Sequence, residues 1–170
     1  MEPMAEASWT GPRVQWIHRP TDRGRRGAAR RGIAERERAL ARAPLFAGLS
    51  ARDRRAIAKV SGVVRYREDT QVVKEGAKGS VFFVIIDGKA KVARKGRTIG
   101  RLRSGDFFGE MSLLDGEPRT ASVITEAPST FLTVAHREFH RVLEREPRLA
   151  IRMLQTMAGR LRDRERPLVD

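Results

Sequence analysis

Cysteine is absent from this chain. That excludes disulfides and iron–sulfur ligation and agrees with a reducing compartment. Long apolar runs are missing too: the longest, Val81 to Ile86, falls far short of the roughly 20 residues that a membrane-spanning helix needs. The early residues lack the apolar stretch of a secretory signal, so the expectation is a cytoplasmic chain with no transmembrane segment. No Ser/His/Asp or paired-carboxylate constellation stands out, and catalysis is not expected. His136 and His140 stand four apart on an expected helix, which suits a metal, but no third ligand accompanies them. A solvent-facing helix start is the simpler reading, with no metal and no cofactor.

Basic charge is plentiful. Lysine and arginine total 35 against 21 acidic residues, a formal charge of +14. The excess is spread along the chain, which favours diffuse attraction to nucleic acid or anionic lipid and steers anionic ligands inward without defining a reading surface. Sequence-specific nucleic-acid recognition is therefore not expected. At 170 residues the chain is long enough for one domain with a real core.

Residues 1–32 carry Gly11-Pro12, Pro20, Gly24-Arg25-Arg26-Gly27 and Arg30-Arg31-Gly32, with apolar side chains concentrated at Val14 to Ile17. Such a stretch buries too little surface to offset its ordering entropy, and it reads as a flexible basic arm whose Trp9 and Trp16 could dock on a partner. The remaining residues, 33–170, read as the domain. Ile33 to Arg42 predicts a helix that stops before Pro44. Ser50 and Asp53 form a capping-box-like start for a second helix, with Ala56, Ile57 and Val60 as its buried stripe.

From Gly62 the period changes. Short β-prone pieces at Val63-Val64, Val72-Val73, Val81 to Ile86, Ala90 and Val92, Ile99 and Leu102, Ala121 to Ile124 and Phe131 to Val134 are divided by turn residues, which predicts an antiparallel sandwich or small barrel over about 62–134. Two helices follow over about 136–165. Phe139, Val142 and Leu143 mark the first, Pro147 opens the second, and Ile151, Leu154, Ala158 and Leu161 form a 3,4,3 stripe. Packing of that stripe on the domain is the default expectation, and pairing of two copies is the alternative. The fold class is α+β.

One segment carries chemistry: Gly105-Asp106-Phe107-Phe108-Gly109-Glu110-Met111-Ser112, continuing through Pro118-Arg119-Thr120-Ala121. An arginine fork pairs two phosphate oxygens at once, so Arg119 is the candidate anion anchor. Gly109 permits close backbone approach, and the amides of Glu110, Met111 and Ser112 are free donors at the start of a helical turn. Glu110 should repel phosphate and belongs at the other end of the ligand, accepting from a neutral hydroxyl such as a ribose 2′-OH. The ligand implied is a phosphorylated sugar.

This segment resembles the phosphate-binding cassette of the cyclic nucleotide-binding domain family. Glu75 to Gly88 resembles the family's glycine-bracketed strand pair, and Pro44 to Ser50 its lead-in to the first helical element. The resemblance spans about 44–164 and implies an antiparallel, jelly-roll-like β-roll flanked by N-terminal helices and two C-terminal helices. It implies that Glu110 holds the ribose hydroxyl and Arg119 the cyclic phosphate, with Gly109, Met111, Ser112, Thr120 and Ala121 completing the site. Thr120 suits a guanine amino group, so the ligand is cAMP or else cGMP. Val72, Val73, Leu102 and Val123 are candidates for the base pocket, although each reads equally as core.

In the family the last helix moves over the base, which makes Leu161, or neighbouring Arg160 or Arg164, the lid candidate. An aspartate is common where Ser80 stands here, and Lys78 adds charge nearby. The expectation is a receptor module acting on an unknown effector protein, as a monomer or as a homodimer through the C-terminal helix. Rival readings are a transcription regulator lacking its DNA-binding domain, since only Pro167 to Asp170 follows the last helix, and a ligand-free interaction domain.

Overall fold

The computed structural model describes residues 25–46 and 48–165. The chain begins with α1 (Arg25–Arg42), a 3-10 turn (Pro44–Phe46) and α2 (Ala51–Val60). The Ser50 hydroxyl caps α2, accepting from the Asp53 amide at 3.1 Å. Eight strands follow: β1 (Ser61–Tyr66), β2 (Gln71–Val73), β3 (Val81–Asp87), β4 (Lys89–Arg94), β5 (Arg97–Arg103), β6 (Phe107–Phe108), β7 (Ser122–Thr125) and β8 (Ser129–Ala135). A short helix, α3 (Glu110–Asp115), interrupts them between β6 and β7, and α4 (His136–Arg145) and α5 (Pro147–Glu165) close the described chain. No described helix is long and apolar enough to cross a membrane.

The strands form two four-stranded antiparallel sheets, ordered β1-β8-β3-β6 and β2-β7-β4-β5. This is the α+β roll that the turn spacing predicts. β3 sits inside the first sheet, so its run Phe82 to Ile85 is buried on both faces instead of alternating. Two apolar clusters result. One joins that sheet to the helices through Leu40, Phe46, Ile57, Phe82, Phe139 and Met153. The other fills the roll with Val64, Phe83, Ile85, Phe108 and Phe131, in which Phe83 and Phe108 stack at 4.8 Å between ring centroids.

Three expectations need correction. α1 starts at Arg25, inside the stretch read as a flexible arm, because Ala28, Ala29 and the neighbouring arginines favour a helix strongly enough to carry Gly27 and Gly32. Residues 1–24 of that arm lie outside the described residues. β6 was not foreseen: two residues pairing with Phe83 and Val84 are too short for a periodic signal. Finally, the α5 stripe does not pack. Ile151, Leu154 and Leu161 are exposed by 54, 62 and 58%, while Leu149 and Met153, on an adjacent face, hold the helix to the core.

Candidate functional site

Arg119 leads into β7 with its backbone tied across to the β2–β3 loop: its amide donates to Ala77 O, and Gly76 N donates to its carbonyl, both at 2.8 Å. The side chain then turns inward and is only 7% exposed. Its Nη1 donates to Gly109 O and its Nη2 to Val81 O, each at 2.6 Å. Two glycines make the room. A Cβ on Gly79 would lie 2.0 Å from Arg119 Nε, and one on Gly109 would lie 2.6 Å from Arg119 Nη1 and 2.9 Å from Val81 O. Gly109 also takes a left-handed conformation, φ 85°, at the N-terminus of α3.

Among the described residues no carboxylate comes within salt-bridge distance of Arg119. Its neutral carbonyl partners satisfy donors without cancelling charge. Burial lowers the guanidinium's pKa and nearby Glu110 pushes it back up, leaving a charged arginine packed against Gly79 and Gly109. Such a group favours an anion, because a buried cation without a counter-charge is costly until one arrives.

Glu110 opens α3 and is 5% exposed. Burial lifts its carboxyl above the usual carboxylate range, against the opposing pull of its backbone hydrogen bond, Arg160 and Arg119. Arg160, on α5, lies with Nη1 3.5 Å from Glu110 Oε1, donates from Nη2 to Phe107 O at 2.7 Å, and sets its guanidinium carbon 4.6 Å from the centre of the Phe107 ring. The last helix therefore reaches the candidate site through a charged side chain. Ser112 is buried in α3, Met111 and Thr120 are exposed with Thr120 Oγ1 3.9 Å from Met111 Sδ, and Ala121 is half-buried beside them.

The other candidates fall elsewhere. Val72, Val73, Leu102 and Val123 all belong to the cluster that fills the roll. Leu161 is exposed and makes no cap here; its neighbour Arg160 makes the contact to the site, and the side chain of Arg164 lies outside the described residues. Ser80, where the resemblance implies an aspartate, contributes its carbonyl to the His136 amide. His140 does not face solvent as expected: its Nε2 lies 2.7 Å from Leu113 O, joining α4 to α3. Among the described residues no group of three or more metal-ligating side chains gathers. Sequence reasoning gave no role to Gly79, Val81 or Phe107. Gly79 had a signal, since a glycine two residues before a strand marks close approach, whereas the carbonyl of Val81 had none.

Comparison with known proteins bears on the fold. Residues 63–146 match the family described as the cyclic nucleotide-binding domain. A cGMP-dependent protein kinase of Toxoplasma gondii is 35% identical over 113 residues, covering 66% of this chain and 11% of that protein. A cAMP-dependent protein kinase regulatory subunit of Mycosarcoma maydis is 34% identical over 116 residues, covering 63% of this chain and 22% of that subunit. The chain thus spans less than a quarter of the length of either relative. Among solved structures, a cyclic nucleotide-binding domain from Methylobacillus flagellatus superposes with a TM-score of 0.66 at 28% identity, over 80% of this chain and 81% of that one.

Proposed function

We propose, from the match of residues 63–146 to the cyclic nucleotide-binding domain family, that this chain is a receptor that binds cAMP, with cGMP as the alternative ligand, and passes the signal through α5. The observation that carries the reading is Arg119: a buried guanidinium without a carboxylate partner among the described residues, lying in the space that the missing side chains of Gly79 and Gly109 leave to it. A cyclic phosphate carries one negative charge and supplies what Arg119 lacks. Glu110 accepts from the ribose 2′-hydroxyl, and the amides at the start of α3 help hold the phosphate.

Signal transfer needs a contact that differs between the free and bound states. Glu110 provides it. A ribose hydroxyl donating to its carboxylate alters the acceptor set that Arg160 shares, and Arg160 belongs to α5. The role is recognition, without catalysis, and the partner that reads α5 is an effector protein. The exposed stripe Ile151, Leu154 and Leu161 is the surface offered to it or to a second copy of the chain. Relatives named for cAMP and for cGMP match equally well, so base choice is assigned to Thr120, whose exposed hydroxyl can accept from a guanine amino group.

Thermal unfolding tests the reading. A ligand specific to the native state stabilises it by RT ln(1 + [L]/Kd), about 2.7 kcal/mol at a hundredfold excess over Kd. The midpoint rises with cAMP dose and stays fixed with 5′-AMP, and Thr120→Ala weakens the cGMP response more than the cAMP response. No shift with either cyclic nucleotide would remove the receptor reading.

A further inference from the structure

The basic excess is spread along the sequence, but the fold gathers part of it on one hairpin. Residues 88–105, which hold β4 and β5, carry seven cations and no carboxylate. Six of the cations are set against one another by the strand register: Lys89 lies opposite Arg103, Lys91 opposite Arg101, and Arg94 opposite Arg97. Buried Ala90 and Leu102 alternate with the first two pairs, so those four side chains share the outer face of the sheet β2-β7-β4-β5, the face turned away from the helices. The seventh, Lys95, tops the turn at φ 49°, a left-handed position that asparagine, aspartate or glycine usually fills. Like charges directly opposite in a ladder are destabilising. Charge on an edge strand guards it against pairing with another chain, which accounts for β5. It does not account for β4, which pairs with β5 on one side and β7 on the other.

Neighbouring carboxylates border this patch without cancelling it. Glu126, just past β7, pairs with Arg101 at 3.2 Å. Glu75 accepts from the Lys95 amide and Asp106 from the Arg103 amide, and Asp87 ends β3 just before the hairpin. Glu68 and Asp69 stand in the turn before β2, which is two strands away from β4. Among the described residues the other six cations of the hairpin form no ion pair. Ile99 lies in their midst, without a partner across the strands because the register shifts between Val92 and Ala93, and it is 39% exposed. We propose that this face docks on an anionic lipid surface, with its cations at the headgroups and Ile99 entering the interface. The hairpin has no aromatic side chain to stack on a base and no asparagine or glutamine to read one. An exposed apolar group amid cations gains from a bilayer interface and not from a phosphate backbone.

Cosedimentation of the full chain with vesicles tests the proposal. The chain is expected to pellet with vesicles of phosphatidylcholine and phosphatidylserine in equal parts, and not with vesicles of phosphatidylcholine alone. Lys89→Gln with Arg103→Gln, which removes one opposed pair, should bind roughly tenfold more weakly and unfold at a temperature no lower than wild type. Arg55→Gln with Arg148→Gln removes the same charge from exposed positions on α2 and α5 and should stay within about twofold of wild type. Ile99→Ser alters no charge; it should weaken vesicle binding roughly threefold and leave binding to a DNA duplex unchanged. Should the first variant fail to fold, Arg94→Gln with Arg97→Gln, at the turn, decides by the same measure. Failure to pellet with the anionic vesicles overturns the proposal, and so does equal loss in the hairpin and helix variants, the mark of diffuse attraction. Wild-type vesicle binding by Ile99→Ser overturns it too, and a duplex that only the hairpin variant releases then assigns the face to nucleic acid. No cyclic nucleotide enters the experiment, so its outcome is independent of the receptor reading.

Discussion

Arg119 and Glu110 are both buried, and they stand in different balance with their surroundings. Arg119 keeps its charge against neutral carbonyls, whereas Glu110 is held near a cation and still has its pKa raised by burial. A carboxyl whose folded pKa is raised contributes stability that is fully present below its unfolded pKa and is lost as pH rises through the folded one. Ionised Glu110 is therefore a net cost to the fold near neutral pH. Glu110→Gln is expected to be at least as stable as wild type there, with the gap closing below the ordinary glutamate range, and to bind the nucleotide more weakly. Denaturant unfolding across pH checks this, and a variant clearly less stable than wild type at neutral pH contradicts it. At this scale the candidate pair was legible, because an arginine and a glutamate nine positions apart beyond a glycine have a chemical meaning. The carbonyls of Val81 and Gly109 were not, since backbone groups leave no trace in a sequence until the turns that aim them are known.

The elements around the site are unequally tied down. β3 pairs on both sides and lies between two clusters, while α5 is held by Leu149, Met153 and the reach of Arg160. Its last turns belong to the low-stability end of the molecule and move at small cost. Hydrogen exchange is expected to slow on cAMP binding both in residues 109–121 and in residues 150–164. Arg160→Ala should keep the first protection and lose the second. Protection confined to the cassette in wild type would leave a passive binder with no moving helix. The amphipathic helices were legible as elements, yet the buried face of α5 was not. Ile151, Leu154, Ala158 and Leu161 make as regular a stripe as the residues that pack, and periodicity does not say which of two adjacent stripes meets the core. The arginines at the start of α1 hid a helix in the same way, because composition alone made them resemble an unfolded arm.

For the whole molecule, turn residues separating short apolar pieces gave away the roll, since each strand needs a partner and each connection a tight turn. Which strands pair, and how the β2–β3 loop folds back onto Arg119, depends on contacts distant along the chain and was out of reach. The charge of +14 is a property of the molecule as a whole. DNA binding is expected to be weak, steeply salt-dependent and indifferent to both sequence and cAMP. Sequence-selective retention of a duplex at physiological salt, dependent on cAMP, would favour the transcription-regulator reading instead. The central claim is that Arg119 receives the cyclic phosphate, and calorimetric titration of cAMP into wild type and Arg119→Ala tests it most directly. Losing a buried, charge-assisted partner costs on the order of 2 to 5 kcal/mol, so the variant, folded by circular dichroism, should bind at least tenfold more weakly than wild type. Equal affinity in the two proteins would contradict the account.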